Sequence, residues 1–196
     1  MEAEKIALVF ATNNQNKVTE IRLVLTDRFE ITTLKEAGID IDIPEPHDTL
    51  EANATEKSTT IHQLTQKNCF SEDTGLEVFS LGGAPGVKSA RYAGDGRNFQ
   101  DNINLLLENL VGIENRNAQF RTVISLIWQN KEYLFEGICE GVIVQLQKGF
   151  DGFGYDPIFI PNGATKTFAE MTMAEKNNFS HRKKAMKKLI DFLSAI

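Results

Sequence analysis

The sequence predicts a mixed-sheet α/β fold, and three observations carry that prediction. A short apolar run near the start passes through a polar turn into a segment of helical spacing. A second strand and a long stretch free of glycine and proline follow it. Two β-rich runs with a short polar break between them then form a hairpin in the second half. Strands alternating with helices early, and paired directly later, require both parallel and antiparallel neighbours in one sheet.

The elements follow in order. Ile6 to Ala11 is continuously apolar and ends in Thr12-Asn13-Asn14, after which Val18, Ile21, Val24 and Leu25 recur as one face of a helix. Phe29 to Leu34 is rich in β-branched residues and predicts the next strand, and Pro44 and Pro46 mark the loop behind it. Thr49 to Lys67 predicts a long helix with Leu50, Ala54, Ile61 and Leu64 on its apolar face. Cys69 to Ser71 and Leu76 to Leu81 read as two strand pieces flanking an acidic turn, Glu72-Asp73-Thr74-Gly75. Gly82 to Gly86 and Ser89 to Gly94 have loop chemistry, and Ile103, Leu106, Leu107 and Leu110 are spaced for a helix that Gly112 closes. Phe120 to Trp128 and Tyr133 to Gln147 form the hairpin around Gln129-Asn130-Lys131. A second glycine-rich loop, Gly149 to Pro157, leads to a last helix with Ser180 as N-cap and Met186, Leu189, Ile190 and Leu193 on its buried face.

Composition narrows the function classes. The 196 residues, 41% hydrophobic and 24% charged, fit one globular domain able to bury roughly 70% of its unfolded surface without staples. With 21 basic and 27 acidic residues the net charge is −6, which opposes a general grip on nucleic acid or an anionic membrane. Cys69 and Cys139 are far apart in apolar segments and read as buried reduced thiols, not as a disulfide or zinc framework. Met1 to Lys5 lacks a basic leader and the apolar run behind it is too short for a signal peptide or a span, so the expected compartment is the cytoplasm.

Standard nucleotide motifs are absent. Val87-Lys88-Ser89 does not place the lysine directly after Gly86, so the P-loop pattern fails, and Gly94-Asp95-Gly96 and Gly152-Phe153-Gly154 lack the third glycine of a dinucleotide fingerprint. The first turn offers more. Thr12, Asn13, Asn14 and Lys17 put hydroxyl, amide and ammonium groups where a strand hands over to a helix, which is either an anion site or an ordinary capped turn. Glu45, Glu72 and Asp73 supply hard oxygens for a divalent cation such as Mg2+; an exposed acidic turn is the other reading of the adjacent pair. Phe153 and Tyr155 present aromatic faces for a base or for the core, and Lys176, His181 and Arg182 carry donors suited to a purine carbonyl. Lys183, Lys184, Lys187 and Lys188 read as a solvated helix face.

Five blocks in this order, Phe10 to Lys17, Glu72 to Leu76, Gly83 to Tyr92, Gly152 to Phe159 and Ser180 to Arg182, resemble the inosine triphosphate pyrophosphatase family, and the likeness covers nearly the whole chain. The resemblance implies an ITPase-like α/β fold with a twisted mixed sheet, flanking helices and two lobes around a central cleft, forming a single domain over residues 1–196 and a homodimer. It implies Mg2+-dependent hydrolysis of ITP, dITP and XTP to the monophosphate and pyrophosphate, with no nucleic-acid or membrane partner. By the same likeness Thr12, Asn13, Asn14, Lys17 and Lys57 hold the phosphates, Glu45, Glu72 and Asp73 carry the metal, and Asp73 orients or deprotonates the attacking water. Thr74 stands near the phosphates, and Phe153, Gly154, Tyr155, Asp156, Lys176, His181 and Arg182 form the base pocket. Ser89 and Arg91 belong to a block lining the cleft or the dimer contact. Three positions depart from the family pattern: Glu72 replaces a second aspartate, His47-Asp48 follows the Glu45 loop, and Ala52 replaces an acidic residue. Two alternatives remain at this level, a related pyrophosphatase for pyrimidine or modified triphosphates and a nucleotide sensor without turnover.

Overall fold

In the computed structural model, which describes residues 5–23 and 27–195, seven strands form one mixed sheet flanked by helices. The order of elements is β1 (Ile6–Phe10), α1 (Gln15–Arg22), β2 (Phe29–Thr33), α2 (Leu50–Thr65), β3 (Cys69–Val78), β4 (Pro85–Gly86), α3 (Phe99–Asn109), β5 (Asn117–Trp128), β6 (Lys131–Ile143), β7 (Phe159–Pro161), α4 (Met173–Lys176) and α5 (His181–Ala195). The strands lie in the order β2-β1-β3-β5-β6-β7, with β4 against β3. β1 runs parallel to both β2 and β3, whereas β3–β4 and β6–β7 are antiparallel.

Contacts divide the chain into two compact units, one of residues 1–73, 122–137 and 182–196 and the other of 74–121 and 138–181. In the first unit the period of two in each strand decides the layering. Leu8, Phe10, Phe70, Ile124 and Leu126 form one cluster with Val18 and Ile21 of α1 and Met186, Leu189 and Leu193 of α5. Val9, Ala11, Cys69 and Ile127 point the other way and pack with Ile61 of α2. Each large side chain buried from α5 contributes about 1.5–3 kcal/mol, which is what holds a helix of otherwise exposed lysines in place. The second unit has its own core, in which Leu76, Val78, Leu106, Phe120, Tyr155, Phe159 and Phe168 take part. Neither cysteine is in a disulfide and both are buried, as their apolar surroundings predict.

The helical periods and the hairpin of the sequence reappear within a few residues, with five differences. The acidic stretch is not a turn: β3 runs unbroken from Cys69 to Val78, with Glu72 1% and Asp73 6% exposed, because buried cations compensate both carboxylates. Gly75 lets β4 approach this strand, since a Cβ there would lie 2.5 Å from the Gly86 carbonyl oxygen. Phe79–Leu81, expected as strand, is a turn of 3₁₀-helix, and β6 ends at Ile143 short of Gln147. Leu64 is exposed, and α2 instead buries Asn53, Lys57 and Ser58 beside Leu50, Ala54 and Ile61. Val24 and Leu25 lie outside the described residues. α4, which the sequence reading passed over, is a single turn closed by a capping box of Thr172 and Glu175.

Candidate active site

In the first unit the β1–α1 turn is built by its own side chains. Thr12 Oγ1 accepts from the Asn14 N–H at 3.1 Å, and Asn14 Oδ1 caps α1 by accepting from the N–H groups of Asn16 (3.0 Å) and Lys17 (3.3 Å). The cap therefore uses two of the helix-end donors, and the Lys17 ammonium on this first turn is ion-paired with Glu72. Asn13 donates to the Ile41 carbonyl at 2.8 Å and fastens the loop behind β2 to this turn. Thr12 and Asn13 also wall an open pocket of about 460 Å³ shared with Lys35 and Asp40.

Glu72 and Asp73 are neighbours in a strand, so their side chains leave opposite faces and meet different partners. Glu72 is gripped by Arg182, whose Nε donates to both carboxylate oxygens at 2.9 and 2.8 Å, and by Lys17 Nζ at 3.2 Å. Arg182 in turn donates through Nη1 to Glu20. Burial resists ionisation of Glu72, but Arg182 and Lys17 outweigh it and hold the carboxyl down to about 2. Asp73 faces Lys57, whose Nζ donates to it at 2.9 Å and to Glu45 at 2.7 Å. For Asp73 burial prevails: together with repulsion from Glu45 it raises the carboxyl above its ordinary range despite the pull of Lys57 and Lys17. Burial alone would lower the Lys57 ammonium, yet Asp73 and Glu45 raise it, so it stays charged.

α2 supplies the scaffold. Asn53 and Lys57 are one turn apart on the same face. Asn53 accepts from the His47 N–H (3.0 Å) and donates to the His47 carbonyl (3.1 Å), which fixes the loop two residues after Glu45. Two carboxylates thus converge on a single ammonium. Among the described residues no group of three or more His, Cys, Asp or Glu side chains converges, and Glu45 and Asp73 meet as a pair at Lys57. Hard oxygens in that number fit magnesium, which commonly keeps water and substrate phosphate for its remaining positions.

The second unit holds a separate constellation around Asp156. Its Oδ2 accepts from the Phe153 N–H at 2.9 Å and from Lys176 Nζ at 2.7 Å, so one buried carboxylate both folds the glycine-rich loop and fixes the lysine. Gly152 is indispensable there: its φ is +80°, and a Cβ would lie 2.2 Å from that same oxygen. Lys176 Nζ stands 5.2 Å from the ring centre of Phe153 and 5.3 Å from that of Phe168. Phe153 is half-buried beside Gly154. His181 is buried and stacks on Phe120, ring centroids 4.8 Å apart. Thr74 follows Asp73 in β3 and is half-buried. Ser89 Oγ accepts from the Leu76 N–H and donates to the Gly86 carbonyl, and Arg91 ends the same short 3₁₀ turn.

Of the residues singled out in the sequence, Lys17, Glu45, Lys57, Glu72 and Asp73 come together in the first unit and Phe153, Asp156 and Lys176 in the second. Three take places other than those expected. Arg182 belongs to the buried charge cluster with Glu72 and Glu20. Glu72, expected among the metal ligands, has both oxygens closed by Arg182 and Lys17. Tyr155 is a core residue, 4% exposed, whose hydroxyl donates to the Ser89 carbonyl at 2.9 Å, and its burial raises the phenol above the ordinary range. Sequence reasoning missed Glu20 altogether, since nothing in the helix pattern marks an acid whose partner is 162 residues away.

The protein is of the α/β class, with a mixed sheet whose strand β3 buries Glu72 and Asp73 against lysines just past its parallel pairing with β1. Within it, this chain belongs to the Ham1 family, whose model matches residues 8–192. A dITP/XTP pyrophosphatase of Flavobacterium psychrophilum is 51% identical over 185 residues, which cover 94% of this chain and 97% of that one. The solved structure of the Staphylococcus aureus Ham1 protein matches with a TM-score of 0.88 at 37% identity, over 97% of this chain and 99% of the other. That of a HAM1 protein from Coxiella burnetii gives 0.90 at 32% identity, over 97% and 100%.

Proposed function

We propose that this protein hydrolyses non-standard purine nucleoside triphosphates, ITP, dITP and XTP, to the monophosphate and pyrophosphate. The observation that carries the chemistry is the Glu45–Lys57–Asp73 cluster, with Lys17 near enough to pull on an Asp73 carboxyl that burial nonetheless keeps raised. The named activity of close relatives over nearly the full chain supports the substrate class.

In this reading Lys17 and Lys57, with Thr12, Asn13 and Asn14 shaping the turn, bind the triphosphate. Water attacks the α-phosphorus; its oxygen forms the new bond, the bond from that phosphorus to the bridging oxygen breaks, and pyrophosphate leaves with the electron pair. Asp73 takes the proton from the water, a task suited to a carboxyl raised above its ordinary range. Lys17 offsets charge on the departing pyrophosphate. Glu45 and Asp73 would hold the divalent cation, magnesium by the hardness of the donors, and when bound it supplies positive charge to the phosphate oxygens. Lys176 and His181 would donate to O6 of hypoxanthine or xanthine, an acceptor where adenine presents amino hydrogens, and Phe153 would stack on the ring. A homodimer acting in the cytoplasm on the nucleotide pool belongs to the same reading.

A product assay tests this directly. With Mg2+, dITP should give dIMP and pyrophosphate, with rates for dATP, dTTP and UTP lower by at least about a hundredfold. Chelation by EDTA should abolish turnover and excess Mg2+ should restore it. Asp73→Asn should retain the circular dichroism of the parent while losing on the order of 10²–10⁴ in kcat. Release of dIDP and inorganic phosphate would overturn the assignment.

A further inference from the structure

We infer that Phe99 is a base-binding residue, forming with Phe153 an aromatic corner for the purine ring; this deepens the reading of Phe153 given above and rests on it. Phe99 opens α3, and the Asn98 cap holds it in place by accepting from the N–H groups of Gln100 (2.8 Å) and Asp101 (3.2 Å). Its backbone is therefore fixed while its ring stays 43% exposed. A phenylalanine at the first position of a helix gains nothing in helix propensity from that placement, and much of its ring is left facing solvent. What the ring does touch is Phe153, at a centroid distance of 6.3 Å and an interplanar angle of 46°.

Phe153 is in turn braced by the Lys176 ammonium, which Asp156 holds in position. Lys176, Phe153 and Phe99 thus form a continuous series: a fixed donor, a half-buried ring and an exposed ring. Two rings tilted by 46° cannot both lie parallel to one planar ligand. If one takes the face of a base, the other meets it obliquely, an arrangement aromatic pairs favour over a full sandwich. A flat ring with a carbonyl at one edge, the chemistry of an oxopurine, satisfies all three groups. A phosphate satisfies only the lysine.

Calorimetric titration with dIMP and thermal unfolding decide the inference for the full chain and for Phe99→Ala and Phe99→Tyr. Loss of one stacking partner at the low end of the range for base–aromatic contacts weakens dIMP binding about fivefold in Phe99→Ala. The Tm should stay within about 1–2 °C of the parent, as for an exposed side chain. Phe99→Tyr, which keeps the ring, should restore the affinity. Unchanged dIMP affinity in Phe99→Ala overturns the inference, as does an equal loss in Phe99→Tyr, which would assign the effect to local packing. Turnover of dITP by the unmodified chain is read in the same preparation: turnover with no effect at Phe99 sinks this inference alone, whereas an unmodified chain that binds no dIMP sinks the base-pocket reading with it.

Discussion

Asp156 shows how much one buried carboxylate can determine. Its Oδ2 joins a backbone N–H of the glycine-rich loop to an ammonium from α4, so loop shape and lysine position are not independent. The charge-assisted bonds are stronger than neutral ones, and their loss leaves both partners unpaired in a buried place. Gly152→Ala intrudes on this point twice, by a Cβ 2.2 Å from the carboxylate oxygen and by a φ of +80° that costs an alanine about 1–2 kcal/mol. The variant should therefore lower the Tm by several degrees and raise the KM for dITP by on the order of tenfold, with kcat less affected because Asp73 and Lys57 are untouched. Thermal unfolding and steady-state kinetics on one preparation check both. An unchanged KM alongside a lowered Tm would confine Asp156 to holding the loop.

Elements were legible where one face meets one core. The spacings of Val18 and Ile21, of Ile103 and Leu106, and of Met186, Leu189 and Leu193 all end in the cores they predict. β3 was not legible, because Glu-Asp-Thr-Gly has the composition of a turn and only partners distant in sequence, Arg182 and Lys57, make it a strand. The candidate site divides the same way: the residue types of Lys17, Glu45 and Asp73 announced phosphate and cation chemistry, whereas the diversion of Arg182 to Glu20 and Glu72 depends on packing that no local pattern encodes. The hairpin was legible, but its turn carries a residual cost. β5 and β6 are joined by Gln129 and Asn130, with φ of 50° and 64°, the left-handed pair of a type I′ turn. Asn130 tolerates this and pairs with His62 Nε2 at 2.9 Å; Gln129 has no such compensation from its residue type. Gln129→Gly should stabilise the protein by about 0.5–1 kcal/mol, seen as a higher urea midpoint with an unchanged m-value. A lower midpoint would show that the glutamine side chain holds the turn by a contact worth more than its strain.

For the molecule as a whole, the charge cluster of Glu20, Glu72, Lys17 and Arg182 gathers α1, β3 and α5 into one unit although their residues lie up to 162 apart. Such a cluster makes stability depend on pH in a direction set by the carboxylates. Glu72 is held down to about 2 from an ordinary value of 4.5, so its contribution is fully present above 4.5 and is lost as pH falls towards about 2. The difference corresponds to about 3 kcal/mol for this fully buried group. Asp73 works in the opposite sense: its raised carboxyl favours the protonated folded state, so it adds stability as pH falls towards its ordinary value of 3.8. Glu36 and Glu175 share the direction of Glu72, but both are exposed to solvent and screened. Urea midpoints should accordingly change little from pH 7 to 5 and then drop steeply below 4.5. Glu72→Gln should be less stable than the parent at pH 7, since Arg182 and Lys17 lose a buried counter-charge, and should show a markedly shallower drop between pH 4.5 and 2.5. If parent and variant lose stability in parallel across that interval, the acid sensitivity of this fold resides in its surface carboxylates, and the buried cluster contributes geometry without linkage.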